Sequence, residues 1–150
     1  MKKNSSLPLS GKVAIITGSA RNIGRAIALA LAKDGASVVI NALKDAKAAE
    51  GVASEITKNG GSALSILCDV LNRNEVDAMV NETVDKLGSI DMLVLNASQR
   101  GQKPFAQLSY DEWKNVIDIS LDGAFFLSQS CLPYMIKNSW GRIVTLGGIS

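Results

Sequence analysis

The chain alternates between short apolar runs and longer segments in which apolar residues recur at helical spacing. The runs are rich in Val and Ile, which favour strands. They occupy residues 12–17, 37–41, 63–67, 91–95 and 142–146. Because these runs are apolar at consecutive positions, the strands are expected to be buried on both faces, as in a parallel sheet covered by helices.

The segments between the runs carry apolar stripes typical of helices. The stripes are Ile23, Ala26, Ile27, Ala30 and Leu31; Ala49, Val52, Ala53 and Ile56; Val76, Met79, Val80, Val84 and Leu87; and a less regular one of Val116, Ile119, Gly123, Phe126, Leu127 and Met135. Gly35, the sequence "NGG" at 59–61 and Gly88 fall where left-handed C-caps are expected. The alternation predicts one α/β domain with a doubly wound parallel sheet between two helical layers.

The turn after the first predicted strand reads "TGSARNIG", residues 17–24. The first strand-to-helix turn of a doubly wound sheet offers free backbone N–H groups and a helix dipole to a pyrophosphate. The spacing of Gly18 and Gly24 fits neither the generic G-x-G-x-x-G nor a P-loop, in which Lys would replace Arg25. A plain structural turn therefore remains the alternative to a phosphate-binding loop.

Composition narrows the class of protein. The chain is 47% hydrophobic and 20% charged with a net charge of +2, which is typical of one globular domain without a nucleic-acid partner. No apolar stretch is long enough for a membrane span, so we expect a cytoplasmic protein without a membrane partner. The chain has no histidine, which excludes Ser-His-Asp and Cys-His catalysis and His-ligated zinc. Cys68 and Cys131 are expected to be buried free thiols, and no metal site is expected.

Several ordered motifs together resemble the short-chain dehydrogenase/reductase family over residues 8–150. The family's T-G-x-x-x-G-x-G loop corresponds to residues 17–24, with Asn22 replacing a glycine. Asp69 corresponds to the aspartate that meets the adenine, and "LNAS" at 95–98 to the family's N-N-A-G. Residues 112–129 and 140–150 are similar to the helix and the strand that carry the active-site asparagine and serine. The resemblance implies a Rossmann-type domain and hydride transfer between a nicotinamide cofactor and a carbonyl or alcohol substrate.

The resemblance also implies where the cofactor lies. The expected cofactor-binding residues are Gly18, Ser19, Ala20, Arg21, Asn22, Ile23, Asn41, Ala42, Leu43, Lys44, Asp69, Val70, Asn96, Ala97 and Ser98. Ala42 stands where NAD-binding sheets place a carboxylate on the ribose, and Arg21 where NADP-preferring relatives carry a basic residue, so NADP(H) is expected rather than NAD(H). Asn22 is expected to tolerate a left-handed backbone and to cap the helix that starts at Ile23.

The family's catalytic tyrosine and lysine, four residues apart, have only one match in this chain. Tyr110 and Lys114 have the spacing, but they precede the serine strand, whereas the family's pair follows it. With Ser109 as an N-cap, this stretch is better explained as a helix start. We therefore expect the true pair beyond Ser150, which makes residues 1–150 a dinucleotide-binding domain truncated before the catalytic helix and inactive alone.

Two further catalytic positions depart from the family pattern. Ser120 stands where the family has asparagine, and Gly148 where it has serine, with Ser150 two residues later. Ser150 and Ser120 are the catalytic candidates, with Ser150 expected to hold the carbonyl oxygen. Loss of activity is the equal alternative.

Two other functions are alternatives to an oxidoreductase. A non-catalytic nucleotide-binding or scaffold relative would keep the loop without the catalytic residues. A methyltransferase is disfavoured by the loop and by Ala42, because its loop would carry G-x-G-x-G and an acid would follow the second strand.

The apolar helix containing Phe125, Phe126, Cys131 and Met135 resembles the one that packs against its twofold mate in relatives, which implies a homodimer or homotetramer.

Overall fold

A computed structural model describes residues 7–99 and 103–147 and contains one five-stranded parallel sheet. The strands are β1 (Val13–Ile16), β2 (Ser37–Ala42), β3 (Ser62–Leu67), β4 (Met92–Leu95) and β5 (Arg142–Thr145). Their spatial order is β3-β2-β1-β4-β5, so the chain crosses back past β1 after β3. All five predicted strands are confirmed.

Helices cover both faces of the sheet. They are α1 (Asn22–Lys33), α2 (Ala46–Lys58), α3 (Arg73–Leu87), α4 (Tyr110–Ile117) and α5 (Gly123–Lys137), with a 3-10 turn at Phe105–Gln107 and a π-helical segment at Asp118–Asp122. The α1 and α2 helices pack on one face, and α3 and α5 on the other. This arrangement confirms the predicted α/β fold with a doubly wound sheet. Within residues 7–99 and 103–147, no helix is long and apolar enough to cross a membrane.

The core lies in two layers because neighbouring strand residues point to opposite faces. In β2, Val38 and Ile40 pack towards α1 and α2, while Val39 between them packs towards α3 and α5. All three side chains are fully buried. This two-sided burial explains the apolar runs of β1, β2 and β4. The expected burial on both faces is wrong for the edge strand β5, which is exposed along its whole length.

The predicted buried faces of α2 and α3 are confirmed, whereas that of α1 is confirmed only for Ile27 and Leu31, which pack against the core. Ile23, Ala26 and Ala30 are exposed, and Ile23 keeps 61% of its surface. The α1 helix buries Gly24 and Ala28 instead. Small residues such as Gly24 and Ala28 allow a helix to approach the sheet and the preceding loop closely. The buried face of α1 is therefore marked by its small residues and not by a large apolar residue such as Ile23.

The irregular fourth stripe spans three segments and not one long helix. The π-helical segment Asp118–Asp122 separates α4 from α5, and its wider turn shifts the side chains that follow to a new face. After it, Gly123, Leu127, Cys131 and Met135 are buried at regular four-residue intervals. The start of α4 matches the prediction, since Ser109 accepts the Glu112 N–H in a capping box.

Candidate cofactor-binding site

The candidate site lies at the carboxyl ends of β1 and β4, where the chain changes direction. From β1 it turns into α1 on one face of the sheet, and from β4 it continues to α4 and α5, with α5 on the other face. Such a switch point opens a crevice between the two loops, and ligands of doubly wound sheets bind there. Residues 17–21 after β1 and 96–99 after β4 form its two sides.

Thr17 joins these two loops from the inside. Its side chain is buried, and its Oγ1 accepts the N–H groups of Asn96 at 3.0 Å and Ala97 at 2.9 Å. The same hydroxyl donates to the Val94 carbonyl at 3.3 Å. Sequence reasoning did not place Thr17 among the site residues, although a threonine directly after a buried strand was the available signal.

Asn96 and Gly24 fix how closely α1 approaches the loop. The Asn96 Nδ2 donates to the carbonyls of Thr17 at 2.8 Å and Gly18 at 3.1 Å. A Cβ at Gly24 would lie 2.6 Å from both Asn96 Nδ2 and the Gly18 carbonyl oxygen. Gly18 itself has φ +61°, a left-handed conformation that disfavours residues with a side chain. Both glycines are therefore required by the geometry.

The backbone donors of the loop divide into two groups. The N–H groups of Thr17, Gly18 and Ser19 bond to the Val94 carbonyl, the Asn41 Oδ1 and the Asn41 carbonyl. From Ala20 to Gly24 the N–H groups have no partner within residues 7–99 and 103–147, and the first helical bond of α1 is from Arg25 N–H to the Arg21 carbonyl. Unpaired donors at a helix N-terminus suit a diphosphate, so these residues fit that part of a dinucleotide.

Asn22 adopts the left-handed conformation predicted for it, with φ +50°. Its predicted capping role is wrong. Arg21, in an extended conformation, occupies the N-cap position, and no side chain caps α1. The first turn of α1 thus keeps its donors available, which favours an anionic ligand over a protein cap.

The loop after β1 and the end of β2 each supply one cation, Arg21 and Lys44, and no free carboxylate directly follows β2. Ala42 is the last residue of β2, and Leu43 and Lys44 after it are exposed. The next acid, Asp45, accepts the Ala48 N–H at 3.0 Å as the N-cap of α2. Neither Arg21 nor Lys44 forms an ion pair with any residue that the structure describes. This distribution of charge suits an additional phosphate group.

Ser19 and Asn41 are buried, and their side chains bond within the protein. Ser19 Oγ donates to the Ile16 carbonyl at 2.7 Å and accepts the Asn41 N–H at 3.0 Å. Asn41 is only 2% exposed. Both residues hold the loop in place, and neither presents its side chain on the surface of the crevice.

Asp69 and Val70 follow β3 on the same edge of the sheet. The Asp69 Oδ1 accepts the Leu71 N–H at 3.0 Å, and the Glu75 carboxylate accepts the Asp69 N–H at 2.7 Å. Burial, followed by the charges of Glu75 and Asp69, raises the pKa of the Cys68 thiol to about 12. Cys68 is therefore a protonated, unreactive thiol at neutral pH, and the prediction that both cysteines are buried and free is confirmed.

A small cleft of about 80 Å³ lies between the ends of β4 and β5 and the π-helical segment. The cleft is lined by four hydroxyl-bearing residues, Thr17, Ser98, Ser120 and Thr145, and otherwise by apolar ones. The structure thus brings Ser120 to the site, on a π-helical turn, which is a feature that frequently marks functional sites. Thr145 is a lining residue that sequence reasoning missed. Gly148 and Ser150 lie outside the described residues.

The Tyr110 and Lys114 pair does not line this cleft. Tyr110 is 70% exposed and its ring packs on Trp113, with 5.7 Å between ring centroids. Lys114 bonds to the Asp118 carboxylate at 2.5 Å, which raises the pKa of the amine. Both side chains are engaged on the surface of α4.

Comparison with known sequences identifies the family. The model of the family described as short chain dehydrogenase matches residues 12–149. The chain belongs to this family. Membership of this family agrees with the geometry of the loop at residues 17–24 and excludes the methyltransferase hypothesis.

Curated relatives of this short-chain dehydrogenase chain carry names of oxidoreductases. A 3-oxoacyl-(acyl-carrier-protein) reductase of Synechocystis sp. is 37% identical over 142 residues, which are 95% of this chain and 58% of the relative. A 7alpha-hydroxysteroid dehydrogenase of Escherichia coli is 38% identical over 146 residues, covering 97% of this chain and 56% of the relative. The chain thus spans little more than half the length of these relatives.

Solved short-chain dehydrogenase structures share the fold closely. A 7 alpha-hydroxysteroid dehydrogenase complexed with NADH and 7-oxo glycochenodeoxycholic acid superposes with a TM-score of 0.88 at 38% identity, over 93% of this chain and 54% of that one. A metagenomic short-chain oxidoreductase in complex with NADP gives 0.87 at 33% identity, over 95% and 64% of the two chains. Both kinds of nicotinamide cofactor therefore occur among the relatives.

Proposed function

We propose that the protein is an oxidoreductase that transfers hydride between NADP(H) and a small carbonyl or alcohol substrate. The observation that carries the proposal is the run of unpaired N–H groups from Ala20 to Gly24 at the N-terminus of α1. The reductase and dehydrogenase names of the relatives support it. The same names do not favour the non-catalytic scaffold alternative.

The chain's own residues divide the work of holding the cofactor. The N–H groups between Ala20 and Ile23 would bind the diphosphate. Thr17 and Asn96 hold the conformation of the loop through hydrogen bonds between the segments after β1 and β4. Asp69 would meet the adenine, and Val70, Ala97 and Ser98, which line the small cleft, would border the nicotinamide. When bound, the nicotinamide supplies the hydride.

The preference for NADP(H) over NAD(H) rests on charge. A carboxylate at the end of β2 would hold the ribose hydroxyls and repel a 2′-phosphate. Ala42 occupies that position, and Asp45 is already bonded to the α2 backbone. Arg21 and Lys44 remain available to pair with the phosphate, with Leu43 beside them as an exposed apolar surface.

Fluorescence titration of the protein with NADPH and NADH tests this preference. Arg21→Ala should remove most of the difference in binding free energy between NADPH and NADH, which is about 1.5–3 kcal/mol for a charge-assisted contact. Ala42→Asp should reverse the preference, because the new carboxylate repels the phosphate and bonds the ribose. Lys137→Ala removes a positive charge at the far end of α5 and serves as the control. Equal affinities of the unaltered protein for the two cofactors would contradict the proposal.

We propose that Ser120 and Ser150 take part in catalysis. Ser120 lines the cleft, where its hydroxyl holds a water or a main-chain carbonyl, and Ser150 holds the substrate oxygen. The family's tyrosine and lysine are assigned to neither Tyr110 nor Lys114. In a protein that includes the Tyr-x-x-x-Lys helix, Ser150→Ala should lower kcat by about 10²-fold or more, and Gly148→Ser should change it little. Activity created by Gly148→Ser, together with a silent Ser150→Ala, would indicate a decayed site.

We further propose that the protein forms a homodimer or homotetramer through α5. Cys131 and Met135 belong to the core and Phe126 packs against it, so these three take no part. The exposed apolar stripe consists of Phe125, Leu132 and Ile136 of α5, and Leu121 of the preceding π-helical segment extends it. A stripe of this kind on a surface helix is typical of an interface.

A further inference from the structure

Asn41, the buried asparagine near the end of β2, contacts two loops of the candidate site at once. Its Oδ1 accepts the Gly18 N–H at 3.1 Å, and its Nδ2 donates to the Cys68 carbonyl at 3.1 Å. Its main chain is bonded as well, since its carbonyl accepts the Ser19 N–H at 2.9 Å. One carboxamide therefore joins residues 17–24, the phosphate loop of the proposed function, to the segment that follows β3.

The two contacts require opposite properties of one side chain. The Gly18 N–H needs an acceptor and the Cys68 carbonyl needs a donor, and an amide supplies both without a charge. At 2% exposure, no water replaces a lost partner, so an unpaired group there is costly. Sheet pairing alone does not require this chemistry, because the neighbouring β2 residues Val39 and Ile40 are apolar.

We infer that Asn41 is a positioning residue that sets the phosphate loop and the Asp69–Val70 segment relative to each other for cofactor binding. The inference rests on the proposed function. Asn41 is not a direct ligand, because its side chain is enclosed by the protein. It acts by turning the Gly18 peptide away from the ligand, which leaves the donors from Ala20 onwards to bind the diphosphate.

The substitution Asn41→Asp separates this role from a general contribution to stability. When protonated, the introduced carboxyl resembles the amide, accepting from the Gly18 N–H and donating to the Cys68 carbonyl. When ionised, it faces the Cys68 carbonyl with a negative charge and has no proton to donate. Burial raises the pKa of a carboxyl, which brings its titration towards neutral pH.

Calorimetric titration with NADP⁺ at pH 6 and pH 8 gives the readout. We expect Asn41→Asp to bind nearly as tightly as the unaltered protein at pH 6 and about tenfold more weakly at pH 8. The nearby Asp69 and Glu75, the Cys68 thiol and Arg21 are present in both proteins, so the titration of the unaltered protein accounts for them. Asn81→Asp, at an exposed position of α3, introduces the same charge and should follow the unaltered protein at both pH values.

A second variant covers the case in which Asn41→Asp unfolds at pH 8. Asn41→Ser is uncharged and too short to span both partners, and it should bind NADP⁺ about tenfold more weakly at both pH values. Unaltered affinity of the folded Asn41→Ser variant, or an equal loss at both pH values in Asn41→Asp, would overturn the inference. Failure of the unaltered protein to bind either nicotinamide cofactor would instead overturn the proposed function, and the inference with it.

Discussion

At the scale of single residues, Gly24 is the position where the site tolerates least change. Gly24→Ala places a methyl group 2.6 Å from the Gly18 carbonyl oxygen, a backbone atom that cannot move aside without disturbing the loop. We expect the free energy of unfolding to fall by about 1–3 kcal/mol, and NADP⁺ binding to weaken because α1 shifts away from the loop. Urea unfolding and calorimetric titration measure the two effects.

The matched control is Gly51→Ala, within α2. A Cβ at Gly51 meets nothing within 4 Å, and alanine favours helix over glycine, so this variant should be more stable by about 0.4–1 kcal/mol with unchanged binding. If both variants behaved alike, the close approach of α1 to the loop would not be what requires a glycine at position 24.

At the scale of elements, the π-helical segment Asp118–Asp122 decides what faces the site. It places Ser120 against the ends of β4 and β5, and it turns α5 so that Leu127 and Cys131 pack on the sheet. A continuous α-helix from α4 to α5 would not allow both arrangements. Its regular spacing could not direct Ser120 to the cleft and also direct Leu127 and Cys131 to the sheet. The segment thus links the packing of α5 to the geometry of the cleft.

At the scale of the whole molecule, the exposed stripe on α5 predicts assembly. Phe125 is 59% exposed and Ile136 67% exposed, on the face of α5 away from the core. We expect Phe125→Glu to weaken the association of the proposed homodimer by about 2 kcal/mol or more, because a charge would be buried at the centre of its interface. Sedimentation velocity at micromolar concentration measures the change.

Phe105→Glu provides the control for this assembly. Phe105 is 86% exposed in the 3-10 turn and lies outside the α5 stripe, so the same substitution there should leave the oligomeric state unchanged. A monomeric unaltered protein, or dissociation caused equally by both variants, would contradict an interface on α5.

The sequence by itself determined the order and type of the main elements. Residues 38–40 are apolar at three consecutive positions, and burial on both faces leaves few structures other than a parallel strand between helical layers. The position of the turn after β1, where we propose that the diphosphate binds, also followed from sequence, because that turn lies at the switch point of such a sheet. The left-handed backbone of Asn22 was also predictable, because asparagine is one of the few residues with a side chain that tolerate this conformation.

Only the tertiary structure decided which side chains serve the fold and which face the ligand. Asn41 and Arg21 are both polar residues beside the same loop, yet one is enclosed by β3 and the phosphate loop while the other lies at the surface. Likewise, Ile23 is exposed and Gly24 buried, against the order that hydrophobicity predicts. These outcomes depend on contacts between residues distant in the chain, such as Gly24 with Asn96, and no local pattern of hydrophobic and polar positions encodes those distances.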